Sequence, residues 1–139
     1  MDVFDQIIAG QVPAEVIVRT EAAIAFLDNH PLFPGHALVC PVEPYRTLYD
    51  LPEPLLPELL KVARQVGAAQ CLALEAEGTF LANNNVISQS VPHFHLHVVP
   101  RRKGDGLKGF FWPRTHPSAD QLHVVADRLR AAIDAGGAS

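Results

Sequence analysis

The chain has 139 residues, of which 48% are hydrophobic and 19% are charged, and its formal net charge is −4. This balance is typical of one globular domain with a buried core and excludes a disordered chain. The charge gives no global basic field for nucleic acid, and no apolar run reaches the roughly 18 residues of a membrane span. We therefore expect a single domain over 1–139, with no nucleic-acid or membrane partner.

The first half of the chain predicts two helices and three strands. A short helix over 3–8 precedes strands over 15–19, 22–27 and 36–40, and a long helix covers about 54–76. The long helix carries Leu59, Ala63 and Val66 on one apolar face at the helical period.

The second half predicts strands over 79–83 and 91–99, then a closing helix over 118–135. Ser118 and Gln121 have the spacing of a capping box at the start of that helix. Its apolar positions are expected to form a buried face: Leu122, Val125, Leu129 and Ile133. Runs of strands with only two substantial helices indicate an α+β fold with a mainly antiparallel sheet.

Two cysteines are too few for a disulfide framework. Cys40 and Cys71 both have apolar neighbours and form no Cys-x-x-Cys pair, so we expect core residues. A reducing compartment, the cytoplasm, is the expected location, and the acidic N-terminus lacks the basic region of a signal peptide.

Three of the seven histidines alternate with apolar residues between positions 92 and 100: His93, His95 and His97. In a strand they share one face, with steps of about 7 Å, while the alternate residues point into a core. Imidazoles on one face suppress one another's protonation, because like charges would crowd. The segment therefore predicts neutral imidazoles, the form that a nucleophile or a metal ligand needs.

The residues alone leave three interpretations of this segment. It could be a solvated, histidine-rich strand face, or a zinc site. Zinc would need ligands from elsewhere, with His36 as the candidate, because the outer two histidines lie about 13 Å apart at Cα. In the third interpretation, one histidine attacks the phosphorus of an ester or anhydride while its neighbours hold the oxygens.

The run from His93 to Val99 matches the signature of the histidine triad (HIT) family, in which histidines alternate with apolar residues. Ser88-Gln89-Ser90-Val91 resembles that family's phosphate-contacting loop, and 25–41 resembles its N-terminal half. The resemblance covers about 4–103. Within the family, 38–41 and 49–51 look nearest the diadenosine polyphosphate hydrolase (fragile histidine triad) branch.

This resemblance implies a five-stranded antiparallel sheet that pairs into a ten-stranded homodimer. His95 becomes the nucleophile, which attacks the α-phosphorus of a purine nucleotide and forms a nucleotidyl-histidine. His97 holds phosphate oxygens and assists the leaving group, and His93 orients the nucleophile. His36 lies behind the triad, although the residues alone favour a satisfied loop histidine at that position.

The resemblance also implies substrate-binding residues. Gln89 and Ser90 contact phosphate or the bridging oxygen, Asn83 and Asp28 serve the ribose and phosphate, and Phe26 packs on the base. Plainer interpretations remain, with Phe26 as core and Asp28 and Asn83 as turn residues. Ser88 departs from the glycine that is usual in the family's loop, and aligning Asn83 requires a one-residue deletion.

The implied function is hydrolysis of a dinucleoside polyphosphate, such as Ap3A or Ap4A, or of an adenosine phosphoramidate. His97 favours hydrolysis, because transferase relatives carry Gln there. The zinc ligands of some relatives are missing near 4–8, so we expect no metal and no tightly bound cofactor, although Mg²⁺ could accompany a polyphosphate. A non-catalytic nucleotide-binding protein and a zinc-dependent hydrolase are the alternatives.

The segment after the triad is basic and then aromatic. The loop over 101–109 either attracts a polyphosphate or is simply solvated. Phe110, Phe111 and Trp112 are expected to cover the leaving-group side of the site or to pack across a dimer.

Overall fold

The computed structural model describes residues 2–108 and 112–137. Its elements are α1 (Val3–Ile8), β1 (Val16–Arg19), β2 (Ala23–Leu27), β3 (Ala37–Pro41), a 3-10 turn (Leu48–Asp50), α2 (Leu55–Ala73), β4 (Gly78–Ala82), β5 (Leu96–Arg101), α3 (Ala119–Ala132) and a terminal π-helical segment (Ile133–Gly137). Phe110 and Phe111, to which the sequence assigned a covering role, lie outside the described residues.

The five strands form one sheet in the order β1-β2-β3-β5-β4, and every neighbouring pair is antiparallel. The expected α+β fold, with a five-stranded antiparallel sheet and two main helices, is therefore confirmed for the described residues. None of their helices is long and apolar enough to cross a membrane.

Both faces of the central strands are covered. The apolar face of α2, with Leu59, Val62 and Val66, packs with Ala25 and Val39 in one core. On the other face, a second core joins Phe4 of α1 to residues of β2 and β3, namely Ile24, Phe26, Leu38 and Cys40. Because neither face meets solvent, β2 and β3 are continuous apolar runs and lack the usual alternation.

Strand β5 begins at Leu96, five residues later than the sequence predicts. The reason lies in the partners of the preceding backbone: the N–H of Phe94 donates to the carbonyl of Tyr45, and the N–H of His93 donates to the carbonyl of Val91. These groups bond to loops, so the ladder between β3 and β5 starts at the pair Val39–Leu96.

The cysteine prediction holds for one residue only. Cys40 is completely buried in β3, whereas Cys71 is exposed on α2. Cys71 follows Gln70, which faces the sheet, and a one-residue step along a helix turns the next side chain by about 100°.

The chain divides into two compact units, one ending at Asp105 and the other beginning at Gly106. In the second unit, the Ser118 hydroxyl accepts a hydrogen bond from the N–H of Gln121, and the Gln121 side-chain oxygen accepts one from the N–H of Ser118. The predicted capping box is therefore confirmed. The predicted buried face of α3 is wrong, because its four apolar residues are between 54% and 58% exposed: Leu122, Val125, Leu129 and Ile133. Among the described residues of this unit, no strand or separate helix is available to cover them.

Candidate active site

The triad segment lies between the two cores. Phe94 and Val98 point into the core beneath α2, as the alternation predicted. The alternating histidines lie on the opposite side, where the ring of Phe4 contacts His93 and His95 edge-on at centroid distances of 5.9 and 5.0 Å. The alternation places the imidazoles correctly although the ladder starts only at Leu96.

His95 presents one unprotonated nitrogen. Its Nδ1 lies 2.7 Å from the carbonyl oxygen of His93, a group that only accepts, so Nδ1 carries the proton and donates. The lone pair of a neutral ring is then on Nε2. Burial lowers the pKa of His95, and the hydrogen bond to His93 offsets part of that effect. His95 is therefore a neutral imidazole at pH 7 whose unprotonated nitrogen is Nε2.

His36 and His97 form a hydrogen-bonded pair, with His36 Nε2 2.9 Å from His97 Nδ1. The N–H of Leu32 donates to His36 Nδ1 at 3.1 Å, so a neutral His36 carries its proton on Nε2 and donates to His97. A neutral His97 then has its proton on Nε2. Burial, then His95 and His36, lower the pKa of His97 to about 4, and it faces the site as a neutral donor.

Asp28 stands beside this pair. One carboxylate oxygen lies 3.7 Å from His36 Nε2, and the other accepts the N–H of His30 at 2.9 Å. Burial lowers the pKa of His36, and the Asp28 carboxylate opposes this. The carboxylate is therefore held at the site while the neighbouring imidazole remains neutral.

A cavity of about 800 Å³ opens onto these groups. Its volume lies within the range of roughly 300–1,000 Å³ that small-molecule sites occupy. Its lining includes the apolar side chains of Ile7, Val12, Phe26 and Leu38 and the polar side chains of Ser90, His95 and His97. The lining includes the acidic Glu15 and Asp28, and none of the described lining residues is Lys or Arg.

The structure brings most of the predicted site residues together. Phe26, Asp28 and Ser90 line the cavity with His95 and His97. His36 reaches the site through its contact with His97, and His93 supplies the carbonyl that holds His95.

Gln89 and Asn83 do not line this cavity. The Gln89 amide donates to the Arg46 carbonyl at 2.6 Å and accepts the N–H of Val86 at 3.0 Å. Asn83 donates to the His95 carbonyl at 3.0 Å, so it contacts the backbone of that histidine. Their predicted contacts with substrate stay predictions. Ser88, which departs from the family's glycine, has a positive φ of 60°, a conformation that favours glycine.

Sequence reasoning missed the contribution of α1. Phe4, 6% exposed, packs on His95 and Phe26, and Ile7 lines the cavity with it. The available signal was the three-residue spacing of Phe4 and Ile7 in a helix that has Asp2 as its N-cap and Asp5 as its third residue.

His93 faces two carboxylates. The ring is fully buried, and its Nε2 lies 2.9 Å from the Pro41 carbonyl, which fixes the proton there. Its Nδ1 has no hydrogen-bond partner among the described residues, and it lies 3.4 Å from Asp5 Oδ1 and 3.7 Å from Asp2 Oδ2. Three lone-pair atoms thus converge, and a histidine anchored by a backbone carbonyl is typical of a metal ligand. This cluster fits a divalent cation.

Asp28, His36 and His97 also offer three ligand atoms within 4.8 Å of one another. The hydrogen bond from Leu32 to His36 Nδ1 opposes a metal there, because it places the ring proton on Nε2, the atom that would face the ion. The sequence prediction of no metal ligands remains untested at both clusters.

A family profile described as the HIT domain matches residues 9–104. Adenosine 5'-monophosphoramidase HNT1 of Saccharomyces cerevisiae is 28% identical over 134 residues, which cover 95% of this chain and 82% of that protein. The crystal structure of a HIT family member from Bacillus subtilis superposes with a TM-score of 0.85 at 27% identity, covering 94% of this chain and 95% of that one. A zinc-bound histidine triad family protein from Mycobacterium smegmatis gives 0.73 at 34% identity, covering 94% and 96%.

Proposed function

The chain belongs to the HIT family, and from that premise we propose that it hydrolyses a purine nucleoside 5'-phosphoramidate to the nucleoside monophosphate and an amine. The observation that carries this proposal is the state of His95, which lines the cavity as a neutral imidazole with its lone pair on Nε2. Yeast HNT1 is named an adenosine 5'-monophosphoramidase, and this name supports the choice of reaction.

The cavity suggests how the nucleotide binds. The purine lies against Phe26, and Asp28 accepts hydrogen bonds from the ribose hydroxyls. The phosphorus then lies beside Ser90, His95 and His97. Holding the reacting atoms in this geometry supplies much of the rate enhancement.

In the proposed reaction, His95 Nε2 attacks phosphorus and forms a P–N bond while the bond to the amine breaks. The amine nitrogen takes a proton from solvent water and departs with the bonding pair. The imidazole becomes positively charged, and its Nδ1–H donates to the His93 carbonyl, which stabilises that charge. Water then attacks phosphorus, releases the monophosphate and returns His95 to its neutral form.

We propose that His97 stabilises charge on the phosphoryl oxygens. Its proton is on Nε2, because His36 donates to Nδ1, so it can donate to an oxygen of the reacting phosphate. Its pKa of about 4 leaves almost no imidazolium at pH 7. A neutral donor suits this role better than that of a general acid for the leaving group.

The charge of the cavity favours an amine over a polyphosphate as leaving group. Its described lining carries two carboxylates, from Glu15 and Asp28, and no Lys or Arg. A dinucleoside polyphosphate brings several negative charges, which these carboxylates repel. An amine is neutral or cationic when it leaves, so the same field attracts it.

Asp2, Asp5 and His93 would hold a divalent cation, because one ligand atom from each lies within 4.8 Å of the others. Such an ion would tie the start of α1 to the triad segment and support the site structurally. Carboxylate ligands without thiolates favour exchangeable binding. This proposal departs from the expectation of no metal, which was drawn from the missing zinc ligands near 4–8.

We also propose that two copies pair through β4, which is an edge strand of the sheet. Its Leu81 is 44% exposed, and unpaired edges are ready templates for another strand. Light scattering coupled to size-exclusion chromatography tests this pairing, and a monomer at high concentration would contradict it.

Chromatographic turnover tests the proposed function. Wild type and His95→Asn are incubated with adenosine phosphoramidate and with Ap4A, each with Mg²⁺ and with chelator. We expect wild type to release AMP from the phosphoramidate faster than from Ap4A, and the variant to release none while still binding AMP. AMP binding without turnover in both proteins would favour the non-catalytic alternative, and loss of turnover on chelation alone would favour a metal-dependent hydrolase.

A further inference from the structure

Gln70 of α2 is a buried polar residue in an otherwise apolar interface. It is 4% exposed and lies one helical turn after Val66, on the face that packs against the sheet. Its side-chain nitrogen donates two hydrogen bonds of 2.9 Å, to the carbonyls of Gly35 and Val98. One buried amide therefore joins three segments of the first unit.

Both carbonyls adjoin histidines of the site. Gly35 immediately precedes His36, and Val98 immediately follows His97. The ladder between β3 and β5 ends at the pair Ala37–Val98, so no further strand pair holds the segments together beyond it. Gln70 bridges them at the point where the strands separate.

The backbone at Gly35 is shaped for this contact. Its φ is +97°, a conformation that residues with a side chain rarely adopt. An added Cβ there would come within 2.2 Å of Leu74 on α2, which shows how closely this backbone approaches the helix. The glycine thus brings its carbonyl within reach of Gln70.

We propose that Gln70 is a positioning residue that sets the distance between His36 and His97 through the backbone, from the α2 side of the sheet. The two rings meet on the other side, at 2.9 Å. Without the amide, the carbonyls of Gly35 and Val98 lose the hydrogen bonds that Gln70 donates, and the peptides that carry His36 and His97 can shift apart. A shift of a few tenths of an ångström weakens the hydrogen bond that fixes the His97 proton on Nε2.

This inference rests on the proposed function only for its effect on rate, and one readout is independent of turnover. Imidazole ¹⁵N NMR reports which nitrogen of His97 is protonated, and the N–N coupling across the His36–His97 hydrogen bond reports their contact. The variant Gln70→Met keeps the length of the side chain and removes its donors. Val62→Ala is the matched control, because Val62 is 3% exposed on the same helix and packs in the same core.

For Gln70→Met we expect the N–N coupling to disappear and a second His97 tautomer to appear. We expect kcat to fall by about 10-fold or more with KM within about 2-fold, since the affected contact acts on the reacting phosphate. Val62→Ala should lower the thermal midpoint but keep both the coupling and kcat.

An unchanged coupling in Gln70→Met overturns the inference, as does an equal loss of coupling in Val62→Ala, which would make it a general effect of packing. If neither wild type nor the variants show turnover, loss of the coupling in Gln70→Met would still support the role of Gln70, while the proposed hydrolase activity would be rejected. If the variant does not fold, wild type still decides: the Gln70 side-chain amide protons should exchange slowly with solvent, and rapid exchange would contradict the bridge.

Discussion

His36 Nε2 and His97 Nδ1 lie 2.9 Å apart, although 61 positions separate these residues in the chain. The pair determines the protonation of the site, because the Leu32 N–H occupies the other nitrogen of His36. The direction of donation runs from Leu32 and His36 through His97 to the cavity.

Replacing His36 by Asn removes an imidazole but retains a donor of smaller size. We expect kcat to fall by about 10- to 100-fold, because His97 then samples both tautomers and only one donates into the cavity. KM should change little. The matched change His30→Asn alters an exposed histidine at the cavity rim and should leave kcat within a few-fold. Steady-state kinetics of both variants decide the point, and equal effects would argue against the tautomer mechanism.

Acid should destabilise the folded protein through its neutral histidines. The folded-state pKa of His97 is about 4, below the ordinary value of 6.5, so between these pH values the unfolded chain binds more protons. Stability is therefore full above about pH 6.5 and is lost as the pH falls toward 4. We expect the thermal midpoint of wild type to drop more between pH 7 and 4.5 than that of His97→Asn. Parallel curves for the two proteins would contradict this prediction.

Phe4 packs both in the second core and against His95. Phe4→Ala should lower the free energy of unfolding by about 3 kcal/mol, since the side chain is buried and contacts Phe26, His93 and His95. Val3→Ala, at a position 42% exposed on the same helix, should cost well under 1 kcal/mol. Urea unfolding monitored by circular dichroism measures both changes. Equal costs would mean that α1 does not pack on the sheet in solution.

A divalent cation at Asp2, Asp5 and His93 should raise the thermal midpoint. At 100 times its dissociation constant, an ion stabilises the folded state by roughly 2.7 kcal/mol. The double variant Asp2→Asn/Asp5→Asn keeps the amide oxygens that can cap α1 but removes both charges, so added Zn²⁺ or Mn²⁺ should no longer shift its midpoint. A wild-type midpoint that responds to neither metal nor chelator would contradict a cation at this cluster.

The charge of the cavity should control the choice of leaving group. Glu15→Lys reverses one charge of the lining and should raise kcat/KM for Ap4A relative to the phosphoramidate several-fold, with the effect shrinking as salt increases. Glu21→Lys makes the same change at an exposed position outside the cavity and should leave the ratio unchanged. A ratio that moves equally in both variants would point to net charge alone.

Features that depend on local sequence were predicted better than features that depend on contacts between distant segments. The alternation of histidines with Phe94, Leu96 and Val98 assigned the faces correctly, because it depends only on extended backbone. The predicted start of β5 was wrong, because the pairing of this strand depends on the positions of β3 and of the loop that contains Tyr45. The burial of α3 was also wrong, because periodicity shows that a face is apolar and cannot show that anything covers it.

The support of the site was beyond the sequence. In the sequence, Gln70 looks like the polar edge of an apolar helix face. In the structure it is buried and donates to the carbonyls of Gly35 and Val98, which are 35 and 28 positions away in the chain. In the sequence, Phe4 is one apolar residue of a short helix, yet in the structure its ring contacts His95. Such contacts depend on tertiary packing, which no window of the sequence contains.

The different surroundings of the two cysteines make this chain convenient for site-selective labelling. Burial raises the pKa of the Cys40 thiol, and no part of that side chain is exposed, whereas Cys71 lies open on α2. A maleimide dye or spin label at neutral pH should therefore attach once per folded chain, without mutagenesis. The label would be adjacent in sequence to Gln70, and distances between labels on two chains would measure how copies associate.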